Sequence, residues 1–101
     1  MAMRSRDEIL ALLLDHREEL RRDFGVEQIA LFGSAARNAS GPGSDIDVLV
    51  DIPHPLTLFQ LVALRLRLEE VLDTPRVDVV LRDSILAPLR DAILAEAVSV
   101  A

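Results

Sequence analysis

Apolar and polar positions along the chain change period several times, and each change marks an element. Ile9, Leu13, Leu20 and Phe24 recur at helical spacing, with His16 on the same stripe between Leu13 and Leu20. Ser5-Arg6-Asp7-Glu8 has the form of a capping box, in which two side chains satisfy the free N–H groups of a helix start. A helix is therefore predicted from about Arg6 to Arg22, with His16 a boundary side chain and Gly25 the stop. Val26 to Phe32 reads as a first strand. Asp45 to Ile52 alternates strictly, with Ile46, Val48, Val50 and Ile52 on one face and Asp45, Asp47, Leu49 and Asp51 on the other. Pro53-His54-Pro55 ends that strand in a turn, because proline cannot serve a central ladder.

Thr57 is placed to cap a helix from about Leu58 to Leu72, closed by the turn Asp73-Thr74-Pro75. On a helical projection of about 100° per residue its apolar side chains form two arcs. Leu58, Leu61, Leu64, Leu68 and Leu72 make one, and Phe59, Val62 and Leu66 the other. One small sheet can bury only one of them. Arg76 to Leu81 is a third strand, with Val77, Val79 and Leu81 facing one way and Asp78 and Val80 the other. Ile85 to Val98 reads as a short turn and a last helix, with Pro88 near its first turn. The order predicts an α/β (α+β) fold, a small mixed sheet of three to four strands with helices packed on one face and the other face left for chemistry.

Composition narrows the chemistry. A chain of 101 residues reads as one domain, residues 1–101. It has no lysine, so a Walker-type phosphate loop, a Schiff base and a lysine nucleophile are excluded. Without cysteine, and with only His16 and His54 as imidazoles, any metal must be held by carboxylates. Seventeen acids against 11 arginines leave a net charge of −6, which disfavours binding a long nucleic acid through its phosphates. The first residues lack the pattern of a secretory signal and no apolar run is long enough to span a membrane, so a cytoplasmic protein is expected.

Asp45 and Asp47 stand two apart on a strand, so they project side by side with Cα atoms roughly 6.5–7 Å apart. Two anions that close repel unless a cation lies between them. Asp78 interrupts the next apolar strand, and if it shares their face three carboxylates converge as the oxygen ligands that Mg²⁺ prefers. Gly33-Ser34 follows the first strand and opens the only long loop, Gly33 to Ser44, which holds three of the four glycines. A glycine lets the backbone approach a phosphate closely, and hydroxyl and N–H groups there can donate to its oxygens. Gly33, Ser34, Arg37 and Ser44 are the candidate nucleotide contacts.

Gly33-Ser34, ten residues, then Asp45-Ile46-Asp47-Val48-Leu49-Val50 resembles the signature of the DNA polymerase β-type nucleotidyltransferase superfamily, in its minimal-nucleotidyltransferase branch. Asp78 within Arg76-Val77-Asp78-Val79-Val80 falls where that family has its third acid. The resemblance implies transfer of AMP from ATP with release of pyrophosphate. It implies Asp45, Asp47 and Asp78 as catalytic ligands of Mg²⁺, with two ions expected, Asp78 also assisting deprotonation of the acceptor. It further implies a HEPN-domain toxin as partner, with a tyrosine of that toxin as acceptor and this chain as antitoxin. The chain itself has no tyrosine. Asn38 and Gly43 depart from the family pattern, at positions that are not metal ligands. Two other readings are a non-catalytic antitoxin-like binding module and an adenylyltransferase acting on a small molecule. The doubly apolar helix from Leu58 to Leu72 is the expected protein contact, for a partner or for a second copy of this chain.

Overall fold

The computed structural model describes residues 5–37 and 45–100, so Ser44, Asn38 and Gly43 lie outside the described residues. The elements are α1 (Arg6–Asp15), α2 (Arg17–Phe24), β1 (Gln28–Phe32), α3 (Gly33–Ala36), β2 (Ile46–Asp51), α4 (Leu58–Leu72), β3 (Val77–Leu81), a 3₁₀ turn (Arg82–Ser84), α5 (Ala87–Glu96) and β4 (Val98–Ser99). The strands make one mixed sheet in the order β3-β2-β1-β4. β1 runs antiparallel to both β2 and β4, while β2 and β3 are parallel and joined by α4. A parallel pair needs such a crossover, since a tight turn can join only antiparallel strands.

The capping boxes explain two helix starts. The Ser5 hydroxyl accepts from the Glu8 N–H and the Glu8 carboxylate from the Ser5 N–H, and Thr57 and Gln60 do the same at α4. The single helix expected over Arg6–Arg22 is broken at His16. There the imidazole Nδ1 pairs with the Leu12 carbonyl at 2.8 Å, and the backbone leaves the helical region at φ −103° and ψ 6°. A side chain bonded to the carbonyl four residues back competes with the main-chain ladder and bends the helix. Helical bonding resumes with the Leu20 N–H on the His16 carbonyl at 3.0 Å, and Leu13 and Leu20 remain buried on either side.

The main core lies between α1, α2 and α4 and one face of the sheet. Ile9, Leu13, Leu20, Leu64, Leu68 and Leu72 meet Ile29, Leu31, Val48, Val50 and Val77 there. Leu64, Leu68 and Leu72 are buried on α4 while Phe59, Val62 and Leu66 are exposed, so one arc is indeed used and the other is not. Leu58 departs from its arc because the whole first turn, Leu58 to Gln60, stands clear of the core.

Two differences from the sequence reading concern the C-terminal segment. The short turn and last helix expected over Ile85–Val98 end at Glu96, and the chain goes on into β4, whose Val98 and Ser99 pair with Leu31 and Ala30. Two residues are too few for periodicity to reveal. Helices were expected on one face only, yet α5 lies on the other, where Ile93 and Leu94 pack on Ala30, Leu49 and Ile85. The reason is local: Ala30, Phe32, Leu49 and Val80 make part of that second face apolar. Only its end near the start of β2 is left to the acids.

Candidate active site

Sheet register brings the candidate acids together. Asp47 stands opposite Asp78 in the parallel pair and opposite Phe32 in the antiparallel pair. The start of β2, the start of β3 and the end of β1 therefore meet at one end of the sheet. Val77 and Val79 belong to the main core, whereas Val80 belongs to the second cluster. Alternation along β3 thus turns Asp78 away from the main core, and it is exposed. The same alternation puts Asp47 on the side of Leu49. Asp47 and Asp78 thus share the α5 face, and Asp45 stands one residue before β2, near enough for its charge to act on Asp47.

Their surroundings differ. Asp47 is half-buried, and its carboxyl is pushed up from the ordinary carboxylate range, first by burial and then by the charges of Asp78, Asp45 and Glu96. Asp45 is exposed and paired with Arg76 at 3.7 Å. Asp45 and Asp78 line one open cleft of about 370 Å³ together with Arg65, Glu69, Pro75, Arg76 and Val77. Among the described residues no three His, Asp or Glu side chains are already closed around a single point as a metal cage.

Gly33 carries the backbone part of the site. Its φ is +69°, a left-handed value that costs other residues roughly 1–2 kcal/mol. A side chain there would also overlap the Asp47 carboxylate. Glycine is thus favoured twice, by conformation and by the closeness of the Asp47 carboxylate. Gly33 to Ala36 form the single turn α3 rather than open loop, closed by the Arg37 N–H on the Gly33 carbonyl at 3.3 Å. Ser34 is half-buried within that turn. The Gly33 N–H donates to Glu96 Oε1 at 2.7 Å, and the Arg37 guanidinium donates to Glu96 Oε2 at 3.0 Å.

Sequence reasoning missed Glu96 and Arg76. Glu96 lies far along the chain from Gly33 and reads as an ordinary surface acid at a helix end. It arrives here only because β4 returns the chain beside β1. Arg76 was visible as the residue before β3, but only the parallel register places it against Asp45.

Comparisons with known proteins identify the family. The nucleotidyltransferase domain family matches residues 13–100. The protein adenylyltransferase MntA of Thermococcus cleftensis is 38% identical over 100 residues, covering 99% of this chain and 100% of that protein. A solved chain described provisionally as a minimal nucleotidyltransferase superposes with a TM-score of 0.79 at 30% identity, over 97% of this chain and 98% of that one. A crystal structure of a toxin–antitoxin with AMP-PNP superposes with a TM-score of 0.72 at 26% identity, over 87% of this chain and 72% of that one.

Proposed function

This chain belongs to the nucleotidyltransferase domain family and is a nucleotidyltransferase, and from that premise we propose that it moves AMP from ATP to a hydroxyl of a partner protein. The acceptor is a tyrosine of a HEPN-domain toxin, and the chain acts in the cytoplasm as the antitoxin. The observation that carries this reading is the register that sets Asp47 level with Asp78, with Asp45 close enough to act on Asp47, beside a glycine whose N–H is bound to an anion. The relatives lend support, since one is a protein adenylyltransferase and another comes from a toxin–antitoxin with a nucleotide analogue.

The donor set fits a divalent cation. Asp47 is repelled by Asp78, Asp45 and Glu96. Oxygen ligands open to solvent suit Mg²⁺, which keeps waters and takes substrate phosphates. Asp45, Asp47 and Asp78 would hold it, and when bound it would neutralise charge on the attacking and leaving oxygens. Gly33 and Ser34 would seat the triphosphate, with Arg37 and Ser44 as further contacts. The acceptor oxygen would form its bond to the α-phosphorus as the bond to the bridging oxygen breaks and pyrophosphate leaves. Asp78, at the mouth of the cleft, would take the hydroxyl proton. Apart from metal and arginine charge, the chain contributes orientation and backbone N–H donors.

For the partner contact, the exposed arc of α4, with Phe59 86% and Leu66 49% exposed, is the apolar surface offered. The test is incubation with labelled ATP, Mg²⁺ and the product of the neighbouring gene, which this reading expects to be a HEPN-domain toxin. Label should appear on a toxin tyrosine, and Asp47→Asn should reduce transfer by roughly 10²–10³-fold or more, the scale of removing one positioned electrostatic group. Absence of transfer, or full transfer by Asp47→Asn, would refute the reading. If the triple Asp→Asn variant still neutralises the toxin completely, neutralisation is by contact alone.

A further inference from the structure

Glu96 is the last residue of α5, and two residues later Val98 pairs with Leu31 of β1. That pairing, with Ile93 and Leu94 packed on Ala30 and Leu49, fixes the Glu96 backbone beside the end of β1. Its carboxylate then has both oxygens engaged, one on the Gly33 N–H at 2.7 Å and one on Arg37 at 3.0 Å. A planar anion held by a backbone N–H and a guanidinium uses the same donors, at the same kind of distance, as two oxygens of a phosphate. Glu96 also adds a third negative charge to the field at Asp47, after Asp78 and Asp45. A plain surface ion pair needs only the arginine; here the second oxygen is seated on the N–H of a glycine in the left-handed conformation.

We propose that Glu96 is an intramolecular competitor for the phosphate seat, its carboxylate occupying the Gly33 N–H and Arg37 until a nucleoside triphosphate displaces it. This rests on the reading of Gly33 and Arg37 as phosphate donors. The backbone of α5 and β4 need not move, because rotation about the side-chain torsions of Glu96 releases both donors. The contact therefore sets the affinity for nucleotide and keeps the seat closed to smaller anions. The residue is a positioning residue that acts on the site from the outside of the reaction.

The test is calorimetric titration of the full chain with AMP-PNP and Mg²⁺, for the native protein, Glu96→Gln, Glu96→Ala and Arg37→Ala. Each variant is checked by Tm and by its amide spectrum. Displacement predicts that Glu96→Gln and Glu96→Ala bind AMP-PNP about five- to tenfold more tightly, while Arg37→Ala binds more weakly. In the metal-free native protein the Gly33 amide proton should resonate downfield. It should move upfield in Glu96→Ala without any nucleotide, a readout that does not depend on activity. During titration of the native protein with AMP-PNP, the Glu96 side-chain carboxyl carbon should shift in step with occupancy. Unchanged or weaker binding by both Glu96 variants, with Arg37→Ala still impaired, overturns the competition and leaves the nucleotide site standing. No binding by any of the four proteins overturns both.

Discussion

At Asp47 burial and three neighbouring carboxylates act in the same direction, and the consequence is a pH dependence of stability. Its folded pKa is raised above the unfolded value, so the folded state holds the proton more tightly. Stability from this group is then highest below the ordinary carboxylate range and falls as pH rises through the interval up to the raised folded pKa. Asp47→Asn removes the penalty. In EDTA the variant should have the higher Tm at neutral pH, with the difference vanishing as the pH falls below the ordinary carboxylate range. Addition of Mg²⁺ should raise the Tm of the native chain and leave the variant less affected, because only a ligand bound to the folded state stabilises it. A neutral-pH Tm for Asp47→Asn at or below that of the native chain would contradict this. Gly33 makes the companion case. Gly33→Ala should lose about 1–2 kcal/mol from its left-handed φ alone, measured by urea unfolding. The added methyl must also push the Asp47 carboxylate away, so transfer should fall more than stability does. Both residues were named from the sequence as a motif; what made them partners is their contact.

At the scale of the element, α4 carries a buried arc and an exposed apolar arc along one helix. Leu68 is fully buried, and Leu68→Ala should cost about 2–5 kcal/mol in urea unfolding, the range for a large-to-small change in a core. Phe59 and Leu66 lie on the exposed arc. Phe59→Ser with Leu66→Ser should leave unfolding within roughly 0.5 kcal/mol, as most surface changes do. If the proposed toxin contact is made there, the pair should nevertheless weaken capture of that toxin in a pull-down or titration. Equal partner affinity would move the contact elsewhere, for example to Leu86 and Leu89, which are also exposed. The N-terminal boundary of α4 was legible from Thr57 and Gln60, and the capping box formed as read. The break at His16 was not legible, because a histidine on the apolar stripe continues the period while its ring bonds backwards to Leu12. Hydropathy records where a side chain faces and carries nothing of which carbonyl its polar atoms reach.

For the whole molecule, the ties between distant segments decide how the site is held. Glu19 of α2 accepts from Arg67 of α4 at 2.7 Å through a two-pronged contact, and this holds its carboxyl below the usual range. The hydrogen bond from Arg67 is the largest cause. A depressed carboxyl pKa contributes stability above its unfolded value and loses it as pH falls through the folded one. Glu19→Gln should therefore lower Tm at neutral pH, make no difference in acid, and matter less in high salt, which screens exposed pairs. The sequence by itself determined which side chains face together within each element: Ile46, Val48 and Val50 on one face of β2, Asp47 and Leu49 on the other, and Leu64, Leu68 and Leu72 on one stripe. It could do so because backbone geometry fixes a period of two in a strand and 3.6 in a helix, whatever the rest of the chain does. The tertiary structure decided what lies across from what: Asp78 level with Asp47, Arg76 against Asp45, α5 on the second face and Glu96 on the Gly33 N–H. Those relations come from strand order and register, which join residues far apart in the chain. No local pattern of hydrophobic and polar residues encodes them, because the two-residue strand that brings Glu96 home is held by its pairing with β1 and not by any period of its own.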